Sequence, residues 1–423
     1  MLRSLRVAAV QLEAHDRDAF ELRWPHICTR IHEAALRGAQ LIVLPEGTVP
    51  AYVLGHEPVA SELLQAALDD VQSLARSHGA IIVYGTVRLS AQGLHNSAYV
   101  VDANGSLAGY ADKCFLWHFD RQWFSAGSTI APIDTSLGKL GVLICADGRI
   151  PTIGRALVDR GAGMLVMPTA WVTSGRNPHE LENVQADLLA AVRARENGVP
   201  FVAANKVGVE RACVAYCGKS QILGANGMPL AKATQHDAQT LIEDVTLGDA
   251  RPLRAPSLKP KPSRAFTRDL RIAITPDGEL PAPLKDVAGA DHVVTADPLA
   301  DDRLSDAAAV AAVEDDLIQD PGGLVPYRLA GYQLIVWRTD LNDREWLRAL
   351  ARARAIELRL FIIVVCKFEF AFAVDPDGTV VCGTFDGLRV AAFVFSPQRT
   401  THTIVAPWTD ILEGLQRVPL EYS

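Results

Sequence analysis

Short continuous apolar runs alternate along this chain with amphipathic helices, and that alternation leaves few folds open. Arg37-Gly-Ala-Gln-Leu-Ile-Val-Leu-Pro-Glu46 reads as a small turn, a strand and a proline stop. Residues 60–77 follow with Leu63, Leu64, Ala67, Val71 and Leu74 at helical spacing. Ala80 to Val87 is a second strand, and Asn104-Gly105 marks a hairpin turn. The order returns downstream: Arg160 to Pro168 as strand, a helix over about 180–197, a strand at Phe201 to Asn205, and a turn at Asn226-Gly227. A fainter copy starts at Leu329, with a strand to Trp337, a helix over 343–356, a strand from Leu360 to Cys366, and a turn at Asp377-Gly378. Apolar strands between amphipathic helices predict sheets covered by helices, an α/β layered fold. The repeats are too long for a solenoid and predict internal pseudo-symmetry.

Between the second and third copies lies Gly248 to Arg264, with four prolines and five basic residues, which predicts an extended linker. The expected division is 1–247, a linker over 248–270, and a smaller domain over 271–423. The 423 residues are enough for two or three folding units. A net charge of −8 argues against a nucleic-acid or anionic-membrane partner. No apolar run approaches the ~18 residues that span a bilayer, and the first residues do not form a secretory signal. Seven cysteines without a CxxC pair predict reduced thiols and a cytoplasmic protein. The histidines show no zinc-site spacing.

Three reactive side chains stand where strands end, the place where open α/β sheets gather their sites. Glu46 follows Leu41-Ile-Val-Leu-Pro, Lys113 follows Gly109-Tyr-Ala-Asp, and Cys145 ends Gly141-Val-Leu-Ile. Singly, each has an ordinary explanation as a buried thiol or a loop charge. Together they supply a base, a cation and a nucleophile, which acyl transfer from an amide requires. The turn after Cys145 is expected to present free N–H groups that lower the thiol pKa and bind an oxyanion.

Ala39 to Gly47, Asp112-Lys-Cys-Phe-Leu and Gly141 to Arg149 resemble, in order, the three blocks of the nitrilase superfamily of carbon–nitrogen hydrolases. The likeness runs over roughly residues 4–246 and includes Arg193 to Asn205. It implies a four-layer α-β-β-α sandwich and a catalytic triad of Glu46 as general base, Lys113 beside the oxyanion and Cys145 as nucleophile. The Ala146 backbone N–H would share the oxyanion. Asp120 stands where many members carry a glutamate, one methylene longer, with loop pairing to Arg121 as its other reading. Ala146 replaces a common aromatic, which lowers the nitrile option.

The aromatic cluster Phe115, Trp117, His118, Phe119, Trp123 and Phe124, with Trp171, is a candidate pocket wall, Trp117 and Trp171 foremost. Its other reading is core or dimer contact. Arg149 and Arg176 lie in loops, with no arginine fixed as a carboxylate binder. The expected reaction is hydrolysis of a small linear amide with release of ammonia, without metal or organic cofactor. An N-carbamoyl amino-acid amidohydrolase comes second, a nitrilase third, and a non-catalytic scaffold or metabolite-binding protein is the reading from another class. A homodimer is expected. The carboxy-terminal part resembles a degenerate copy of the same fold without catalytic residues, Thr275 standing where Cys145 stands in the first copy.

Overall fold

A computed structural model of the chain describes residues 4–55, 57–173, 182–247, 260–261, 265–279, 289–297, 310–367, 369–385 and 387–417. The chain divides into two compact units, Met1–Pro252 with Ala406–Thr409, and Leu253–Val405 with Asp410–Ser423. Most of the expected linker over 248–270 lies outside the described residues.

In the first unit, β1 (Ser4–Glu13) lies parallel to β2 (Leu41–Val43), and β2 lies parallel to β3 (Ile81–Ser90). β4 (Gly93–Val101) and β5 (Leu107–Asp112) continue this sheet antiparallel. The second sheet runs from β6 (Ile133–Thr135) through β7 (Gly138–Val142), β8 (Met164–Pro168) and β9 (Phe201–Ala204). After β10 (Lys206–Glu210) and β11 (Val214–Cys217) at the edge of the first sheet, β12 (Gln221–Leu223) and β13 (Pro229–Lys232) complete the second. β14 (Gln239–Thr246) returns antiparallel to β1. The two sheets face one another, with α1 (Phe20–Leu36) and α2 (Ser61–His78) outside the first. α3 (Pro151–Asp159) and α4 (Ala190–Asn197) cover the second, which makes the α-β-β-α sandwich. β2 is buried on both faces, hence its unbroken Leu-Ile-Val. Helix α1 buries Phe20, Trp24, Ile27, Ile31 and Ala34, a single stripe against the first sheet.

The second unit pairs β15 (Leu270–Ile274) in parallel with β16 (His292–Val294). β17 (Val310–Val313), β18 (Leu334–Thr339) and β19 (Phe361–Cys366) run parallel, and β20 (Phe370–Val374) and β21 (Val380–Gly383) follow antiparallel. β22 (Ala391–Phe395) returns antiparallel to β15. These directions repeat β14–β1–β2 and β7–β8–β9–β12–β13 of the first unit. Within α5 (Arg344–Leu358), Arg354 pairs with Glu357 and donates to the Ile318 carbonyl, as Arg193 in α4 pairs with Glu196 and donates to the Gly148 carbonyl.

Strand register corrects the expected match at Thr275. Ile272 faces His292 as Val7 faces Leu41, so Thr275 stands at the position of Val10 and Asp297 at that of Glu46. Val310 faces Leu334 as Gly141 faces Leu165, which places Glu314 where Cys145 stands. The likeness of Arg271–Gly278 to Gly141–Gly148 misleads because both are buried strands running into an Asp-containing turn. Asp297 and Glu314 are exposed. Residues 295–309 stand between β16 and β17 where β3 to β6 stand in the first unit, and they contain no lysine.

Gly85 of β3 lies against the backbone that carries Glu46: a Cβ there would sit 2.5 Å from the Glu46 Cα and 2.5 Å from the Pro45 carbonyl oxygen. Neither neighbour can move without shifting the strand. Gly85→Ala is therefore expected to lower stability by about 1–3 kcal/mol in urea unfolding, the usual range for overpacking. A variant as stable as the wild type would show that the two strands separate freely.

Candidate active site

Glu46 leaves β2 through Leu44 and Pro45, and its amide donates to the Thr169 carbonyl beyond β8. Lys113 follows β5, and its amide donates to the Asn96 carbonyl of β4. Cys145 opens the 3₁₀ turn Cys145–Arg149 after β7. Its φ of +44° is a backbone region that residues other than glycine seldom occupy. All three side chains are buried.

The Lys113 ammonium donates to Glu46 Oε1 at 2.7 Å and lies 2.6 Å from Asp120 Oδ2. Asp120 thus reaches the lysine despite its shorter side chain, rather than standing as a loop carboxylate. The Tyr52 hydroxyl donates to Asp120 Oδ1 at 2.9 Å and the Trp117 amide donates to Oδ2. Asn96 Nδ2 donates to Glu46 Oε1 at 2.6 Å, while Glu46 Oε2 has no partner among the described residues. One carboxylate oxygen is held and the other is left for a ligand or a proton.

Burial pulls the Lys113 pKa down, but Asp120 and Glu46 outweigh it and hold the amine well above its ordinary value. Burial raises the Glu46 carboxyl, with Lys113 opposing. The Cys145 thiol is pushed up to about 12, by burial first and by Glu46 next, against Lys113, the Thr169 hydroxyl and the Ala170 amide. This reverses the expected lowering. α3 begins only at Pro151, so no α-helix N-terminus meets the sulfur, and desolvation dominates. Burial and the Glu46 charge thus favour the protonated thiol, and the Lys113 charge opposes them.

Asp147 fastens the lysine segment to the cysteine turn. Its Oδ1 accepts the Cys114 and Phe115 amides, and its Oδ2 accepts the Ile144 amide. Burial raises it to about 7 against those amides. Gln185 donates to the Cys145 carbonyl at 2.8 Å and accepts from Arg149 Nε at 3.1 Å. The Arg149 guanidinium stacks on Trp117, 4.3 Å from the ring centre. No carboxylate pairs with Arg149 among the described residues; burial lowers its pKa to about 10, with Cys145 opposing. Arg176 lies outside the described residues.

Trp171 is buried, its backbone held at both ends by Asn205, and its indole N–H has no partner among the described residues. Phe119, Trp123 and Phe124 pack edge to face on one another, and Phe119 lies against Tyr52. Ala146 is buried within the turn. Asn96, Tyr52, Asp147 and Gln185 escaped sequence reasoning. The only trace of Asn96 is the polar run His95-Asn96-Ser97 inside a strand, and that of Asp147 is its place two residues after Cys145.

A profile of carbon–nitrogen hydrolases matches residues 6–255. The chain belongs to that family. It is 32% identical over 222 residues to a protein of Schizosaccharomyces pombe named as a probable nitrilase, covering 51% of this chain and 78% of that one. A nitrilase of Pyrococcus abyssi is 30% identical over 223 residues, covering 51% and 80%. The crystal structure of an amidase from Nesterenkonia sp. superposes with a TM-score of 0.53 at 26% identity, covering 58% of this chain and 91% of that chain. In a mutant of that amidase the acetamide moiety of fluoroacetamide is bound covalently at the active-site cysteine. Among the described residues no helix is long and apolar enough to cross a membrane, and no group of three His, Cys, Asp or Glu side chains could hold a metal ion.

Replacing Lys113 with methionine leaves Glu46 and Asp120 buried without their counter-ion. The expected cost is about 3–5 kcal/mol in denaturant unfolding, the range for breaking a buried ion pair. Adding Asp120→Asn to Lys113→Met should return part of that loss. A single variant as stable as the wild type would show that water already reaches the cluster.

Proposed function

We propose that this protein hydrolyses a small linear amide through a thioester on Cys145, releasing ammonia. The observation that carries the reading is Glu46, buried like Lys113 and Cys145, with one carboxyl oxygen held at 2.7 Å by Lys113 and the other unpartnered among the described residues. Glu46 takes the thiol proton as sulfur attacks the carbonyl carbon. The C–S bond forms, and the carbonyl oxygen carries the charge beside Lys113 and the Ala146 amide. The proton passes through Glu46 to the nitrogen, the C–N bond breaks, and ammonia leaves. Water, deprotonated by Glu46, then attacks the thioester, and the acid and the free thiol return. Asp120 balances Lys113 and keeps it charged. Trp117 and Trp171 line the acyl side. Every proton is handled by Glu46, so the cycle asks for no metal or organic cofactor.

Arg149 favours substrates that carry a carboxylate. A guanidinium so placed, without an acidic partner among the described residues, is expensive unless a ligand supplies the counter-charge. An N-carbamoyl amino acid and a monoamide of a dicarboxylic acid both meet that demand, and carbon dioxide released with the ammonia separates the first from the second. A homodimer working in the cytoplasm, on small molecules alone, fits this reading.

Cys145→Ala should fold normally and release no ammonia from a panel of amides and carbamoyl amino acids, whereas retained turnover refutes the assignment. Because the Glu46 pKa is raised, the acidic limb of kcat/KM should lie above the ordinary glutamate value of about 4.3, activity falling as pH drops through that limb. Glu46→Gln should lower kcat by roughly 10²–10⁴ and remove the limb. Arg149→Leu should raise KM at least tenfold for a carboxylate-bearing substrate and change it less than threefold for a neutral amide. Equal effects on both would remove the anionic-substrate reading.

A further inference from the structure

A second buried ion pair, apart from the one at Lys113, holds the loop that carries Glu46. Lys206 and Glu210 are the first and last residues of β10, four positions apart and so on one face of the strand, and both side chains are fully buried. The Lys206 ammonium donates to the Gly47 carbonyl at 2.8 Å and lies 3.4 Å from Glu210 Oε2. Glu210 Oε1 accepts the Val53 amide at 2.6 Å, and Oε2 accepts the Tyr216 hydroxyl at 2.7 Å. The lysine therefore grips the residue after Glu46, and its glutamate partner grips the other end of the same loop. Between these grips, His15 Nε2 lies 2.8 Å from the Pro50 carbonyl oxygen, and Tyr52 donates to Asp120.

We propose that Lys206 and Glu210 are positioning residues for this site, a buried clamp that sets Glu46 from one end of the loop and the Lys113–Asp120 pair, through Tyr52, from the other. Neither touches the reacting atoms. An ordinary stabilising ion pair would spend its hydrogen bonds on its own strand or on neighbouring side chains. Here the two main-chain contacts fall on the two ends of residues 47–53. Gly47 has no slack to absorb a shift: its φ is +56°, and a Cβ there would lie 2.5 Å from the Tyr52 Cα. Movement of Gly47 is thus transmitted to both Glu46 and Tyr52. Loss of the clamp should draw Glu46 away from Lys113, whose charge opposes the rise in the Glu46 pKa.

The inference rests on the amide-hydrolase reading, but its test does not depend on turnover alone. Single replacements leave one buried charge unpaired, so the chosen variant is Lys206→Met with Glu210→Gln, which is neutral and keeps an acceptor for the Val53 amide. Per active site titrated at Cys145, kcat should fall at least tenfold with KM changed less than threefold. The acidic limb of the pH profile should move up by at least half a pH unit. Iodoacetamide alkylation of Cys145, followed against pH by mass spectrometry, should show the same upward move. Lys206→Arg, which keeps the cation, should retain at least a third of wild-type kcat.

A folded double variant with kcat within twofold and an unmoved limb overturns the clamp. If that variant does not fold, Tyr216→Phe decides: a threefold or greater loss of kcat per titrated thiol supports the clamp, and no loss overturns it. If the wild type turns over no amide, the functional reading fails, and the pH dependence of alkylation in the wild type and the variant still decides the clamp.

Discussion

Everything at this site depends on placing one ammonium, out of water, between two carboxylates. Lys113 contacts Glu46 and Asp120, and none of the three side chains is exposed. Burying such charges singly costs several kcal/mol each, so the arrangement holds only because each group neutralises its neighbour and the remaining oxygens find donors. Asn96, Tyr52 and the Trp117 amide supply those donors. The exception is Glu46 Oε2, and an unsatisfied oxygen within an otherwise satisfied cluster is where chemistry can enter.

The thiol belongs to this balance. A cysteine ionised in advance beside a buried carboxylate would set two negative charges together in a medium of low dielectric constant, and burial with Glu46 holds Cys145 protonated instead. In the proposed reaction, attack and proton transfer are then coupled: the thiol loses its proton as its sulfur bonds to the carbonyl carbon. Two acidic neighbours hold the Lys113 pKa high, which favours its charged form.

The second unit shows what this constellation requires. It repeats the outer pairings β14–β1–β2 and the parallel run β7–β8–β9, and it repeats the buried arginine–glutamate pair of the covering helix. It has no counterpart, among the described residues, of the strands that bring Lys113 beside Glu46. Without that cation, acidic residues at the two equivalent positions, Asp297 and Glu314, lie exposed rather than buried. The sandwich survives because its core is made of Val, Ile, Leu and Phe on paired strands, independent of the charges at its rim.

The layered fold was legible in residue order because period and composition are local. Continuous Leu-Ile-Val runs demand two covered faces, stripes of Leu and Ala demand a sheet beneath, and Asn-Gly or Asp-Gly demands a turn. Glu46, Lys113 and Cys145 could be singled out for the same reason, each being a reactive side chain where a strand stops. Asn96 and Asp147 could not, since a polar residue within a strand or turn carries no mark of the group it will meet. Thr275 resembles Cys145 in its neighbouring residues, but register, a relation between distant strands, gives it the position that Val10 holds in the first unit. The thiol pKa was misjudged for a related reason: the turn's dipoles are visible in the chain, but the desolvation that outweighs them comes from packing. Chain order alone carried the strands, helices and reactive ends, because these follow from spacing over a few residues. Partners, charge balance and the clamp at Lys206 and Glu210 came from folding, because they join segments that only the sandwich brings within hydrogen-bonding reach.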